Sequence, residues 1–179
     1  MNPLEIIDKY YPADSPARGI LITHSQNVAR EALQIAKAKA IDIPEEDIYN
    51  AAMLHDIGIF LTAAPGIQCF GSLPDIAHGY AGADLLRKEG VPEKYARVAE
   101  RHTGSGLSSE DIENQHLPLP SGRSYMPETT LEKLICFADC FWSKTRPDQR
   151  KDLDRVRQSI KKFGEGAISR FDGLAAEFL

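Results

Sequence analysis

Apolar positions recur at helical spacing in successive blocks along the chain, separated by breaks marked with glycine and proline. In residues 20–40, Leu21, Val28, Ala32, Ile35 and Ala36 form one stripe, and His24 falls on the same face, three residues after Leu21 and four before Val28. Pro44 followed by Glu45, Glu46 and Asp47 predicts a helix start, because proline is pre-set for the first turn and acids favour its positive end. That helix runs through Ile48, Ala51, Ala52 and Leu54 to His55, with Gly58 as its expected stop. Residues 60–74 hold two prolines and two glycines and are expected to be a loop. Pro74-Asp75 opens the next helix, which contains Ile76, Ala77, His78, Ala81, Leu85 and Leu86 and ends at Gly90. Pro92-Glu93 opens another, with Tyr95, Val98, Ala99 and His102 on one face. Residues 103–127 are rich in glycine, serine and proline, and a patternless stretch of that length predicts disorder or a functional lid. Pro127-Glu128 predicts a helix with Leu131, Ile135, Ala138 and Trp142 on one face and Asp139 beside them. Two amphipathic stretches follow, marked by Leu153, Val156, Ile160 and Phe163, then by Ile168, Phe171, Ala175 and Phe178. No strand alternation, internal repeat or dividing linker interrupts the series. The expectation is an all-α, single-domain bundle of about seven helices over residues 1–179, with its motifs in about 20–145 and C-terminal helices over 148–178 packed on them.

Composition narrows the function classes. The chain has 179 residues, 42% hydrophobic and 26% charged, which is a folded globule able to bury a core without disulfides. Its net charge of -5 argues against sequence-independent binding to a nucleic acid polymer, which needs clustered lysine and arginine. The same charge leaves room for a small phosphorylated substrate, because a bound metal supplies positive charge that composition does not report. Cys69, Cys136 and Cys140 are odd in number and form no C-x-x-C pair, so neither a disulfide framework nor a cysteine zinc site is expected. Residues 1–12 lack the pattern of a signal peptide, and no stretch approaches the ~18 apolar residues of a membrane span, so a cytoplasmic location without membrane association is expected.

The pattern that needs explaining is acids and histidines on apolar faces. His24, His78 and His102 each fall where a helix should pack, and Asp139 does so four residues after Ile135 and three before Trp142. A single such histidine is ordinarily a buried, hydrogen-bonded one, and a lone His-Asp pair carries no information. Together with His55 and Asp56 at a helix end they call for one shared explanation. An inward carboxylate is costly unless paired or bound to a metal, and imidazole with carboxylate is the donor set expected for zinc, iron, manganese, cobalt or nickel. His55 and Asp56 are adjacent and diverge by roughly 100° on an ideal helix. Both therefore reach one ion only if it lies beside the helix terminus, with Gly58 turning the chain away. His116 sits in the loop and is not counted as a ligand.

The order His24, His55-Asp56, Asp139 resembles the H…HD…D signature of the HD-domain superfamily, and His55-Asp56-Ile57-Gly58 is its HDIG form. His78-Gly79-Tyr80-Ala81-Gly82-Ala83 and Arg101-His102-Thr103 resemble the segments that carry the extra histidines of its two-metal members, and Glu132-Lys133 through Ala138-Asp139 the helix of the last ligand. The resemblance covers roughly residues 20–145 and implies an HD-type helical bundle with a binuclear centre. His24, His55, Asp56 and Asp139 would hold one ion, and Asp56, His78 and His102 the second, with Asp56 as the bridge. The two cofactors would be divalent transition metal ions. It further implies a phosphohydrolase that cleaves a phosphoester or phosphoanhydride of a nucleotide or other small phosphorylated molecule, with Asp56 and His55 indispensable to catalysis. The superfamily also contains di-iron oxygenases, and a non-catalytic nucleotide-binding module is a third reading, which the intact ligand set disfavours. Ile59 after Gly58 and Ala81 after Gly79-Tyr80 depart from the HDxGK and GYP motifs of cyclic di-GMP phosphodiesterases; the histidine set is more similar to that of the diadenosine polyphosphate hydrolases. Arg101, Arg123, Lys133 and Lys144 are the expected substrate contacts, Lys144 because it follows Asp139 by five residues. A homodimer is left open. Cys136, Cys140 and Trp142 are expected in the core, and the mixed charges of residues 146–157 on a solvated face.

Overall fold

The computed structural model describes residues 1–179. Nine α-helices run in chain order: α1 (Pro3–Tyr10), α2 (Pro16–Ala38), α3 (Glu45–Leu54), α4 (His78–Lys88), α5 (Glu93–Arg101), α6 (Ser109–Asn114), α7 (Thr130–Cys140), α8 (Leu153–Ile160) and α9 (Glu165–Phe178). The expected breaks fall where local chemistry puts them. Ser15 caps α2 through its side chain and Pro16 follows, while Gly90 ends the α4 region with a φ of +71° that other residues rarely adopt.

α7 is the central element. Leu134, Ile135, Cys136, Phe137 and Ala138 have no exposed surface, and the helix packs against α2, α3, α5 and α9. Phe137 stacks among Phe141, Phe171 and Phe178, which ties α9 to the bundle; truncating such a ring to alanine costs about 3–5 kcal/mol. The capping box that starts α7 joins Thr129 and Glu132, so the helix begins two residues later than the proline signal indicates.

Four regions differ from the sequence expectation. α1 and α6 bring the helix count to nine, because both are too short for a repeating apolar stripe. Residues 60–74 fold as a 3-10 turn and a two-residue hairpin, β1 (Ala63–Ala64) with β2 (Cys69–Phe70), in register Ala63 to Phe70 and Ala64 to Cys69. Residues 103–127 are neither disordered nor a free lid. They carry α6, and Asp111 pairs with Arg170 of α9. Ser105 donates to the Ala167 carbonyl at 2.7 Å, and the Leu107 amide donates to the Tyr125 carbonyl at 3.0 Å. Gly58 is not a helix stop of the left-handed kind. A Cβ there would lie 2.3 Å from the His78 carbonyl oxygen and 2.6 Å from the Gly82 nitrogen, so the glycine lets α4 close on the turn.

α1 also serves that turn. Tyr11, at its end, donates from its hydroxyl to the Ile57 carbonyl at 2.7 Å and accepts from the Phe60 amide at 3.2 Å, with the ring almost fully buried. Two backbone groups that a broken helix leaves without partners are thereby satisfied. No helix is long and apolar enough to cross a membrane. The three cysteines are free and buried, and Trp142 is partly exposed beside the cavity described below.

Candidate metal centre

Six side chains from five helices and one turn meet at the middle of the bundle. His24 lies mid-way along α2, His55 is the residue after α3, His78 opens α4, His102 is the residue after α5 and Asp139 is in the last turn of α7. The final carbonyls of a helix have no amide to accept from, and the centre uses this. His55 Nδ1 is 2.6 Å from the Ala52 carbonyl and His102 Nδ1 is 2.8 Å from that of Ala99. His78 Nδ1 is 2.7 Å from the Asp75 carbonyl. In each case the partner lies three residues back. Donation from Nδ1 fixes the tautomer and leaves Nε2 free to coordinate. The divergence of adjacent His55 and Asp56 is resolved because α3 stops at Leu54, and Asp56, with φ -103° and ψ 11°, turns its carboxylate back beside His55.

Asp56 stands at the centre, with no exposed surface. Its Oδ2 is 3.2 Å from the Nε2 of both His24 and His55, while its Oδ1 is 3.4 Å from His78 Nε2 and 3.3 Å from His102 Nε2. Each oxygen thus faces its own pair of imidazoles. Asp139 Oδ1 completes the first group at 2.9 Å from His24 Nε2 and 3.5 Å from His55 Nε2. His24, His55, Asp56 and Asp139 form one cluster of donors and Asp56, His78 and His102 another, the donor atoms of each lying within 4.8 Å of one another.

The donors fit a cation and little else. His24 Nε2, His55 Nε2 and Asp56 Oδ1 are buried without a hydrogen bond, and Asp56 Oδ2 has only the Lys144 ammonium as an ionic partner. His78 Nε2 and His102 Nε2, both in position to coordinate, face each other at 3.1 Å. Each buried polar atom left so costs about 1–3 kcal/mol, which divalent ions at these two points would offset.

The charges are arranged unequally. Burial opposes a charge on His55, but Asp56 and Asp139 outweigh it and lift the imidazole to about 10. Burial lowers His78 to about 4, helped by His102 and Lys144, so it is neutral at pH 7. Burial would raise both carboxylates; Lys144 and His55 hold Asp56 well below the usual range, and His24 with His55 does the same for Asp139.

A cavity of about 540 Å³ opens beside the centre, reaching His78, His102 and Asp139. Lys144, Lys151 and Lys162 line it, as do Trp142 and Phe163. Lys144 Nζ is 2.7 Å from Asp56 Oδ2. Of the four basic residues singled out from the sequence, only Lys144 is brought here. Arg101 pairs with Glu128 and Glu132, Arg123 with Asp84 and Glu100, and Lys133 with Glu177, all outside the cavity walls. His116 takes no part in the centre. Lys151 belongs to residues 146–157, expected on a solvated face, and Lys162 carries no signal in the sequence beyond its place just past a helix end; both line the cavity instead.

The HD-domain family profile matches residues 21–141, more than half of the chain, and that stretch contains all six donors. The chain belongs to the HD-domain family. HD domains hold divalent metal ions, and the donor set here is of that kind. An uncharacterised protein of Methanocaldococcus jannaschii is 33% identical over 146 residues, 80% of this HD-domain chain and 75% of the relative. Two relatives are named tRNA (cytidine(56)-2'-O)-methyltransferase, from Thermoplasma volcanium and Picrophilus torridus, at 33% and 32% identity over 93% and 76% of the chain. The chain spans only 43% and 36% of those two proteins. Among solved structures, the HD domain of the L. monocytogenes phosphodiesterase PgpH superposes with a TM-score of 0.56 at 16% identity, covering 98% of this chain and 96% of that one. A second structure of the same domain, in complex with cyclic-di-AMP, gives 0.54 at 18%, covering 98% and 94%. At these identities the likeness bears on fold, and it confirms the all-α HD-type bundle.

Proposed function

We propose that this HD domain is a metal-dependent phosphohydrolase acting on a phosphoester or phosphoanhydride of a nucleotide or other small phosphorylated molecule. The observation that carries the reading is the split carboxylate of Asp56, one oxygen to each imidazole pair, beside a cavity lined by three lysines. Two divalent ions are expected, one on His24, His55, Asp56 and Asp139 and one on Asp56, His78 and His102. When bound, such ions neutralise phosphate charge and acidify coordinated water.

The remaining work belongs to the chain. Asp139, held ionised far below neutral pH, serves as a ligand and not as a proton donor. His78, neutral at pH 7, is ready to coordinate without first losing a proton. Lys144 is raised by Asp56 against the effect of burial, so it presents a permanent cation to the non-bridging oxygens of a phosphoryl group at the centre. Lys151 and Lys162 hold the rest of the substrate from the cavity wall. Methyl transfer is not carried over from the relatives named for it, since this chain matches less than half of each. Their names do support placing RNA-derived nucleotides first in a substrate screen.

The test is elemental analysis after reconstitution, coupled to anaerobic assays of nucleotides and bis(p-nitrophenyl) phosphate with manganese or cobalt. About two metals per chain and oxygen-independent hydrolysis are expected. Absence of bound metal, or turnover that requires iron and oxygen, overturns the reading.

A further inference from the structure

The basic residues of this chain are unevenly engaged. Of its eleven arginines, eight are ion-paired: Arg18, Arg87, Arg97, Arg101, Arg123, Arg150, Arg157 and Arg170. The other three surround one loop, residues 143–149. Arg146 is on it and Arg155 faces it, and Arg30 bonds to Asn27, which donates to the Pro147 carbonyl at 2.8 Å. In a chain of net charge -5, leaving those cations without acids at a single place is a local reversal of sign.

Two of the three, Arg146 and Arg155, line one hollow, and Arg30 lies outside its wall. A cavity of about 380 Å³ is lined by Ser143, Thr145, Arg146, Gln149, Lys151 and Arg155, with no apolar side chain and no acid among them. The loop's own acid, Asp148, is not on its wall. Ser143, Thr145 and Lys151 also line a neighbouring hollow that reaches His78 and Asp139, so the basic hollow adjoins the one beside the metal centre. Lys151 holds this junction; its Nζ contacts the Cys140 carbonyl at 3.4 Å and no carboxylate.

We infer that the hollow is a second phosphate subsite, and that the substrate class is a nucleotide with phosphates on two successive nucleosides, a dinucleotide or the end of a short oligonucleotide. One phosphoryl group would sit at the metal centre and the next, unreacting, between Arg146, Lys151 and Arg155. Guanidinium forks without acidic partners suit a phosphate oxyanion, the Ser143 and Thr145 hydroxyls beside them lie 3.0 Å from each other, and a nucleoside monophosphate has no second phosphate to place there. The substrate assignment rests on the phosphohydrolase reading; the existence of the subsite does not.

The test separates the two. Metal-free protein in EDTA is titrated calorimetrically with pApA and with AMP at low salt. pApA should bind tighter than AMP, and the double substitution Arg146→Ala, Arg155→Ala should weaken pApA by at least about tenfold. A charge-matched control, Lys37→Ala with Lys39→Ala at the far end of α2, should leave pApA binding unchanged. In the metal-loaded enzyme, the ratio of kcat/KM for pApA to that for AMP should fall by a similar factor in the double variant. Equal affinity of wild type for pApA and AMP, or equal loss in the control, overturns the subsite. Binding that follows the prediction with no hydrolysis of either compound retains the subsite and removes the phosphohydrolase reading.

Discussion

The two donor clusters share a carboxylate and little else in their electrostatics. The first has two ionised acids around a His55 that holds a proton up to about 10. The second has one oxygen of Asp56 and an imidazole, His78, whose charge burial drives off down to about 4. More negative charge makes the first cluster the stronger site for a cation, yet a proton must leave before an ion enters. At the second, His78 brings no such competitor, and there is less charge to hold an ion. Affinity and readiness are therefore assigned to different halves of one centre, with Asp56 as the coupling between them.

Breaking the coupling should have the largest effect. Asp56→Asn is expected to reduce phosphoester turnover by about 10³-fold or more and to lower metal content at both positions, as measured by steady-state kinetics and elemental analysis. Near-normal activity would refute a shared ligand. Removing one half should be milder in stoichiometry: His78→Ala should leave about one metal per chain, retained by the first cluster, while His24→Ala should weaken the stronger site. Identical losses from both would erase the distinction. Gly58→Val forces a side chain against α4, so a loss of about 1–3 kcal/mol in denaturant unfolding is expected, with the metal at His78 lost before the other.

Proton counting sharpens the comparison further. At pH 8 His55, with its value near 10, is charged in the metal-free protein and must release about one proton on metal binding, whereas His78, near 4, releases none. Calorimetry in buffers of different ionisation enthalpy should find that proton, and its release should fade as pH rises towards 10. The smallest expected effect is at Lys133, whose partner Glu177 is 42% exposed. Lys133→Ala should change stability by less than about 0.5 kcal/mol and leave kcat/KM nearly unchanged, against a clear loss for Lys144→Ala.

The ligands were legible in the sequence because each sits on or beside an apolar stripe where a polar group is costly, and because their order matches a known signature. What orients them was not. The carbonyls of Ala52, Asp75 and Ala99 carry no residue identity, and their availability depends on where a helix or turn stops, to the residue. The basic side chains misled for a related reason. Arg101 and Lys133 are close to ligands along the chain, but on a helix a neighbour in sequence points elsewhere, and both met acids from other elements. Lys151 and Lys162 reach the cavity only because α9 packs on α7 and α8 packs on α9. The 103–127 segment lacks periodicity yet is ordered by single contacts such as Asp111 with Arg170, which no pattern of spacing reveals.

The family match starts at residue 21, but the hydroxyl that holds the HD turn closed belongs to Tyr11. A fragment trimmed to the matched boundary would keep every ligand and lose the post that braces two of them, leaving the Ile57 carbonyl and Phe60 amide exposed to solvent. The segment ahead of the matched stretch is mechanically part of the turn that carries Asp56.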